Sequence, residues 1–152
     1  MLYFAYGSNM DPDQMAARCP SSVAHGIGYL ADHALCFPRQ SIARACGVAS
    51  VRAELGQHTW GVVYRMTVED FTRLDTFEDF VPNRAAHLNG YIRETRHIHI
   101  DDNPVETHIY IANIEEAPPP PSLAYLTHMR TGARHHGLPD DYVAMLEALE
   151  HG

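Results

Sequence analysis

The stretch YFAYGSNM, residues 3 to 10, constrains the fold most strongly, because Gly-Ser-Asn interrupts an aromatic run almost at once. Tyr3 to Tyr6 predict a strand, Gly7 to Met10 predict a tight turn, and Pro12 to Arg18 predict a helix. Asp11 suits the N-cap of that helix, and Gln14 lies where a capping box has Gln or Glu. The chain therefore begins with a strand, a sharp turn and a helix.

The turn from Gly7 to Met10 presents backbone N–H groups beside the positive end of the helix dipole, where a small anion can bind. The plain alternative is that Gly7 only permits a sharp connection between strand and helix. The segment lacks the lysine of a P-loop, and Ser8 does not lie in the G-x-S-x-G of a nucleophile elbow. An anion site and a purely structural turn both remain open here.

Length and charge narrow the classes of protein that fit. A chain of 152 residues with 45% apolar composition predicts one domain over residues 1–152. A net charge of −8 argues against nucleic acid and against an anionic membrane surface as partners. No apolar run is long enough to span a bilayer, and the N-terminus has no signal-peptide pattern. Cys19, Cys36 and Cys46 form no CxxC pair, so we predict reduced thiols and a cytoplasmic location.

Hydrophobic periodicity and turn residues predict the remaining elements. Short strands are expected within residues 23–39, 46–55 and 58–66, a helix over 68–78, a hairpin of residues 89–100 and 105–113 around the turn DDNP, and helices over 121–136 and 139–150. Strands that precede and alternate with scattered helices, without regular βαβ units, predict an α+β fold. We expect the sheet to be mostly antiparallel and curled toward a small barrel.

Glu78 interrupts the apolar face of the helix predicted over residues 68–78. Val68, Phe71 and Leu74 recur at helical spacing, and Glu78 falls where the next inward residue is expected. One interpretation is a solvated helix end. The other is a carboxylate held in a pocket, where loss of solvation would raise its pKa and make it a general base near neutral pH.

Several motifs together resemble the γ-glutamylcyclotransferase family. YFAYGSNM and the later LDTFE match its Y-G-S-N and L-D-x-x-E segments, and the likeness continues in WGVVYRM, in YIAN followed by APPPPS, and in GLPDDYVAML. These segments cover nearly the whole chain in the right order. Related glutathione-specific and γ-glutamylamine-specific groups show Y-G-S-L or Y-G-T-L, so Asn9 favours the first group.

The resemblance implies a fold and a set of residue roles. The fold is a small mixed β-barrel surrounded by α-helices, with the active cavity near the first turn. Glu78 is implied as the proton acceptor and donor, and the hydroxyl of Tyr110 as part of the cavity wall. Substrate binding is implied for the opening segment, with Asn9 bracing it: Tyr3, Phe4, Ala5, Tyr6, Gly7, Ser8 and Asn9.

The implied chemistry needs no protein nucleophile, metal or organic cofactor. In a γ-glutamyl amide, the α-amine of the substrate can attack its own γ-carbonyl and form a five-membered ring. One carboxylate can remove the proton and return it to the leaving nitrogen. The products are 5-oxoproline and a free amino acid or amine. The alternatives are a γ-glutamylamine cyclotransferase that removes a γ-glutamyl cap, and a non-catalytic member that binds a small carboxylate or a partner protein. A homodimer is also left open.

Two departures from the family pattern concern the leaving group. Asp79 follows Glu78, where the family usually has Gly, and the segment 79–89 resembles an inserted loop. Asp79 would raise the pKa of Glu78 if both side chains pointed inward. The sequence therefore does not fix which amine or amino acid leaves.

The histidines of the predicted hairpin have a structural and a metal-binding interpretation. A DDNP turn places His97 opposite His108 and His99 opposite Glu106, all on one face of the hairpin. Three imidazoles and a carboxylate could bind zinc, but a solvated outer face is the favoured interpretation. Alternation puts Tyr110 on this face too, so either a bulge intervenes or part of the face borders the cavity.

Overall fold

The computed structural model describes residues 1–152 as five strands, four α-helices and two short 3-10 turns. The strands are β1 Leu2–Ala5, β2 Val23–Ser41, β3 Cys46–Arg65, β4 Tyr91–Ile100 and β5 Asn103–Ala112. The helices are α1 Pro12–Arg18, α2 Val68–Phe77, α3 Leu123–His136 and α4 Asp140–Glu147, and the 3-10 turns are Ser8–Met10 and Ala86–Leu88. None of the four helices combines the length and apolar character needed to cross a membrane.

The strands close into a barrel in the order β1-β3-β2-β4-β5. β1 pairs in parallel with β5, and every other pair is antiparallel. The predicted α+β fold with a small, mixed, mostly antiparallel barrel is therefore confirmed. Fully buried side chains such as Phe4, Val62, Ile98 and Ile109 belong to its core.

β2 and β3 correct the prediction of three short strands. Residues 46–55 and 58–66 belong to one strand of 20 residues, and β2 runs for 19 residues beside it. Their pairing shifts register at Ala24/Gly26, Ala31/His33 and Cys36/Arg39. Such irregularities bend and twist a long antiparallel pair, so that one continuous ribbon can serve two parts of a barrel.

The β4–β5 hairpin turns on two residues rather than on the four of DDNP. Asp101 and Asp102 have φ values of 49° and 62°, as a two-residue hairpin turn requires. Ile98 consequently pairs with Val105, and His97 with Glu106. The predicted register was therefore wrong by two residues. A shift of two leaves every side chain on its predicted face, because side chains alternate along a strand.

The helix starts follow the expected capping chemistry, with one exception. The N–H of Asp13 donates to the Asp11 carboxylate at 3.0 Å, which caps α1. Thr67 and Asp70 form a reciprocal capping box at the start of α2. Gln14 does not form the predicted capping box, because its side chain turns toward the 3-10 turn that precedes α1.

Gly132 allows α3 to pack directly on the turn Ser8–Met10. A Cβ atom at Gly132 would lie 2.2 Å from the backbone carbon and oxygen of Met10. We therefore expect Gly132→Ala to lower the free energy of unfolding by about 1–3 kcal/mol, as overpacking typically does. Gly26→Ala is the matched control, since no atom lies within 4 Å of its added Cβ. Urea denaturation of both variants measures the difference, and equal stabilities would refute this account of the packing.

Candidate functional site

A cleft of about 380 Å³ opens where the end of β1, the β2–β3 hairpin and three helices meet. Sixteen residues line it, nine of them hydrophobic. Seven of the residues singled out from the sequence lie in its wall: Tyr3, Tyr6, Gly7, Ser8, Asn9, Glu78 and Tyr110. The first turn, the end of α2 and a strand more than a hundred residues from the N-terminus are thus brought to one cavity.

Phe4 and Ala5 differ from the expectation, because neither lines the cleft. Phe4 has no exposed surface, and its ring packs in the core with a centroid 6.1 Å from that of Tyr6. Ala5 pairs with Val62 of β3 and is 1% exposed. These two residues support the strand that carries the site rather than its surface.

The turn after β1 contains a backbone N–H without a partner in the protein, that of Gly7, which lines the cleft. The N–H groups of Met10 and Asp11 donate to the carbonyls of Gly7 and Ser8. The N–H of Gly7 donates to no carbonyl or side chain of the protein. Because α1 begins at Pro12, its positive end lies immediately behind this turn. The arrangement is suited to a carboxylate group.

Asn9 joins the turn to the carboxylate through side-chain hydrogen bonds. Its amide nitrogen donates to the hydroxyl of Tyr3 at 2.9 Å and to Glu78 Oε1 at 3.1 Å. Its amide oxygen accepts from Gln14 at 2.9 Å and from Arg18 at 3.1 Å. With all these groups engaged, the amide has one fixed orientation. Asn9 therefore braces the site through other side chains rather than through backbone groups.

Glu78 lies at the C-cap of α2 and faces the cavity, so the pocket interpretation applies and not the solvated one. Its side chain is 14% exposed, and Arg18 Nη1 is 4.0 Å from Oε1. Burial raises the pKa of Glu78 from 4.5 to about 6. Arg18, the hydrogen bond from Asn9, and Arg44 oppose that rise, while Asp75 adds to it. A carboxyl group with this pKa can accept and return a proton near neutral pH.

Asp79 does not line the main cleft beside Glu78. Its side chain is 64% exposed and pairs with Arg84 at 3.1 Å. Arg84 Nε also donates to the side-chain oxygen of Asn89 at 2.6 Å, which fastens the segment 79–89 upon itself. Asp79, at the start of this segment, lines a further compartment of about 290 Å³ together with Glu78. Residues 39–43, at the end of β2 and in the turn after it, line the same compartment.

Asp75, one turn before Glu78, holds two side chains of the neighbouring hairpin. The hydroxyl of Tyr110 donates to Oδ1 at 2.5 Å. Arg93 donates from Nε to Oδ1 at 2.9 Å and from Nη2 to Oδ2 at 3.1 Å. The carboxylate is 10% exposed, so this is a nearly buried, two-point ion pair.

Sequence reasoning did not identify four further groups in the wall of the cleft: Arg18, Arg44, Tyr91 and Tyr125. Arg44 Nη2 donates to Gln14 Oε1 at 2.7 Å, and its guanidinium lies 5.1 Å from the ring centroid of Tyr125. Arg18 ends α1 and stacks on Phe77 at 4.6 Å. A cation in the last turn of a helix is ordinarily explained by the helix dipole, so nothing local marks Arg18 as part of a site.

The three hairpin histidines do not converge on a metal site. His97 is exposed, His99 stacks on Tyr29 with ring centroids 4.9 Å apart, and His108 packs edge-on against Phe71, also at 4.9 Å. No group of three or more His, Cys, Asp or Glu residues is placed to hold a metal ion. Helix α2 covers this face near Tyr110, so part of the face borders the cavity and no bulge is needed.

Comparison with known proteins supports one family. The AIG2-like family model matches residues 58–146. The chain is 31% identical to the γ-glutamylcyclotransferase of Mus musculus over 98% of this chain and 78% of that protein, and 29% identical to the protein of that name from Homo sapiens with the same coverage. A solved structure of a γ-glutamyl cyclotransferase superposes with a TM-score of 0.90 at 27% identity, covering 100% of this chain and 89% of the other.

Proposed function

We propose that this chain, which belongs to the AIG2-like family and is an enzyme of the γ-glutamylcyclotransferase type, converts the γ-glutamyl group of a γ-glutamyl amino acid or amine into 5-oxoproline. The observation that carries the proposal is one juxtaposition. A nearly buried carboxylate whose pKa is about 6, Glu78, shares a cavity with the free N–H of Gly7. A proton acceptor and an anion site are the two groups that this cyclisation requires.

The two ends of the substrate fit different parts of the cleft. The α-carboxylate lies against the turn at Gly7, where the N–H and the helix dipole favour negative charge. Arg44, which touches Ser8 Oγ at 3.4 Å, adds positive charge at that end. The ammonium lies beside Glu78, and the γ-carbonyl is folded back toward it. Holding the chain in this shape converts a flexible molecule into one poised for ring closure.

The reaction proceeds through proton transfers at one carboxylate. Glu78 removes a proton from the ammonium, and the freed amine forms a C–N bond to the γ-carbonyl carbon. The protonated Glu78 then gives this proton to the amide nitrogen as the original C–N bond breaks. Ionised once more, Glu78 takes the second proton from the ring nitrogen and passes it to the released amine, which departs as an ammonium. 5-Oxoproline and the amino acid or amine leave, and Glu78 is ionised again. The reaction consumes no water.

A substrate panel tests this proposal. The protein is incubated with γ-glutamyl amino acids and γ-glutamylamines, and 5-oxoproline is measured together with the released amine. The α-glutamyl isomers are the matched control, because their amine cannot close a five-membered ring on the scissile carbonyl. We expect release of 5-oxoproline from γ-linked substrates alone. Binding without any product would instead support a non-catalytic carboxylate-binding protein.

The compartment beside Glu78 bears on the choice of leaving group. Arg39 lines it, makes no ion pair, and offers a partner for the carboxylate of a leaving amino acid. Ile42 and Phe77 line the same compartment and suit an apolar amine equally well. The substrate panel therefore includes γ-glutamylamines as well as γ-glutamyl amino acids. The ratio of the kcat/KM values for these two substrate classes decides which leaving group the enzyme prefers.

The rate should depend on the ionisation of Glu78. The base must be ionised to accept a proton, so acid inactivates the enzyme. Because burial raises the pKa of Glu78 to about 6, we expect kcat/KM to fall tenfold per pH unit below about pH 6. Arg18 favours the ionised form of Glu78, so Arg18→Gln should move the acidic fall in kcat/KM to higher pH. A fall in kcat/KM that begins only near pH 4.3, the ordinary pKa of glutamate, would contradict the role of burial.

A further inference from the structure

Among the tyrosine hydroxyls that line the cleft, that of Tyr110 is the one that donates to a carboxylate, whereas those of Tyr6 and Tyr91 donate to backbone carbonyls. The Tyr110 hydroxyl donates to the Asp75 carboxylate at 2.5 Å, and Asp75 is held in place by both nitrogens of the Arg93 fork. By contrast, the oxygen of Tyr125 accepts from the N–H of Ala49 at 3.0 Å, so its own proton stays free. Tyr110 and Tyr125 therefore present opposite polarities to a ligand.

The direction of the Tyr110 hydrogen bond is fixed by charge. An ionised carboxylate has no proton to give, so the hydroxyl must be the donor. Burial, with Asp75 as the next cause, raises the pKa of Tyr110 far above its ordinary value, so the phenol does not ionise. What remains available to a ligand on the Tyr110 oxygen is lone pairs. Such an oxygen can accept a hydrogen bond from an ammonium and cannot donate one to a carboxylate.

We propose that Asp75 is a positioning residue that fixes the Tyr110 hydroxyl as the acceptor for the substrate ammonium, an inference that rests on the proposed function. Tyr110 and Glu78 line the same cavity and both offer acceptors. The turn at Gly7 and the guanidinium of Arg44 offer donors. A zwitterionic glutamyl group can bind this arrangement in one orientation only. That orientation places the amine beside the base.

The test separates recognition of the ammonium from general damage. Two ligands are compared, γ-glutamylalanine and glutarylalanine, which is the same molecule with the amino group replaced by hydrogen. Dissociation constants are measured by calorimetry in a Glu78→Gln background, where turnover does not interfere. Tyr110→Phe should raise the dissociation constant of γ-glutamylalanine roughly 10- to 100-fold, because a hydrogen bond to a charged group is lost. The dissociation constant of glutarylalanine should change by no more than about twofold.

Two further variants complete the design. Asp75→Asn should also reduce the preference for γ-glutamylalanine over glutarylalanine. If Asp75 acts through Tyr110, adding Asp75→Asn to Tyr110→Phe should cause no further loss of affinity for γ-glutamylalanine. Tyr125→Phe is the matched control and should affect both ligands alike. Asp75→Asn breaks a nearly buried ion pair, so circular dichroism is used to check that this variant folds. If it does not fold, the result for Tyr110→Phe decides whether Tyr110 binds the ammonium.

The outcomes distinguish this inference from the proposed function. If the parent protein cyclises γ-glutamylalanine but Tyr110→Phe weakens both ligands equally, or neither, the ammonium role is wrong and the function stands. If the parent protein neither cyclises nor binds γ-glutamylalanine, both proposals fail together.

Discussion

Glu78→Gln is expected to reduce kcat for 5-oxoproline release by at least about 10²- to 10⁴-fold, the usual contribution of a general base. Glutamine keeps the size of the side chain and can still accept the hydrogen bond that Asn9 donates to Oε1 at 3.1 Å. It cannot remove a proton from the ammonium. Substrate affinity should therefore persist while turnover is lost, and steady-state kinetics separate the two effects.

The same substitution should stabilise the fold. A carboxyl group whose pKa is raised on folding binds its proton more tightly in the native state, so its contribution to stability falls as pH rises from about 4.5 to about 6. Above that window, ionised Glu78 costs the native state roughly 2 kcal/mol. Gln carries no charge, so Glu78→Gln should unfold at higher urea than the parent at pH 7. Loss of activity together with gain of stability excludes misfolding as the cause.

The control for Glu78→Gln must lie on the same helix but outside the site. Asp75→Asn would have served if Asp75 only capped or oriented α2. Its contacts with Tyr110 and Arg93 exclude that use. Glu69→Gln in the exposed first turn of α2 is suitable, and its kcat should equal that of the parent. Parental turnover by Glu78→Gln would assign the base to another residue.

Gly7→Val is expected to lower kcat/KM by about 10²-fold or more, because it fills the anion site. A Cβ atom at Gly7 would lie 3.1 Å from the hydroxyl of Tyr125 and 3.3 Å from the Cβ of Ala49. Its φ of −111° lies outside the left-handed region that favours glycine, and the added side chain would occupy the space beside Tyr125 and Ala49. A displacement of about 1 Å in a bound substrate already costs rates of this order.

Gly7→Ala provides the graded comparison for that result. Its Cβ needs the neighbouring groups to move by only a few tenths of an ångström. We expect an intermediate loss that appears mainly in KM, with a fold as stable as that of the parent. If Gly7→Val retains parental kcat/KM, the carboxylate does not bind at this turn, and the structural interpretation of Gly7 would be sufficient.

Local chemistry explains which parts of the fold could be predicted. The strand, turn and helix at residues 3–18 and the start of α2 at Thr67 each depend on neighbours within a few residues, and the structure has them. The joining of residues 46–55 and 58–66 into β3 depends on β2 lying alongside, with Gly56 at a φ of 86° in the middle. No periodicity within one strand contains that information.

The same distinction applies to the site. Glu78 is visible in the sequence because it breaks an apolar helical stripe. Arg44 has no such signature, since it reaches Gln14 and Ser8 only after the β2–β3 hairpin closes over the first turn. Gln14 satisfied a local capping pattern, but its side chain instead donates to Ser8 and Asn9 and accepts from Arg44, 30 residues away. Hydrogen-bond partners remote in sequence therefore decided the details that local rules missed.

The central claim is that the substrate's own amine, and not water, attacks the γ-carbonyl. Turnover of γ-glutamylalanine in H₂¹⁸O, with mass analysis of the glutamyl product, tests it most directly. Intramolecular attack with Glu78 as base yields 5-oxoproline that carries no ¹⁸O from solvent, together with free alanine. Glutamate that carries one solvent ¹⁸O as the first product would show hydrolysis and would contradict the account.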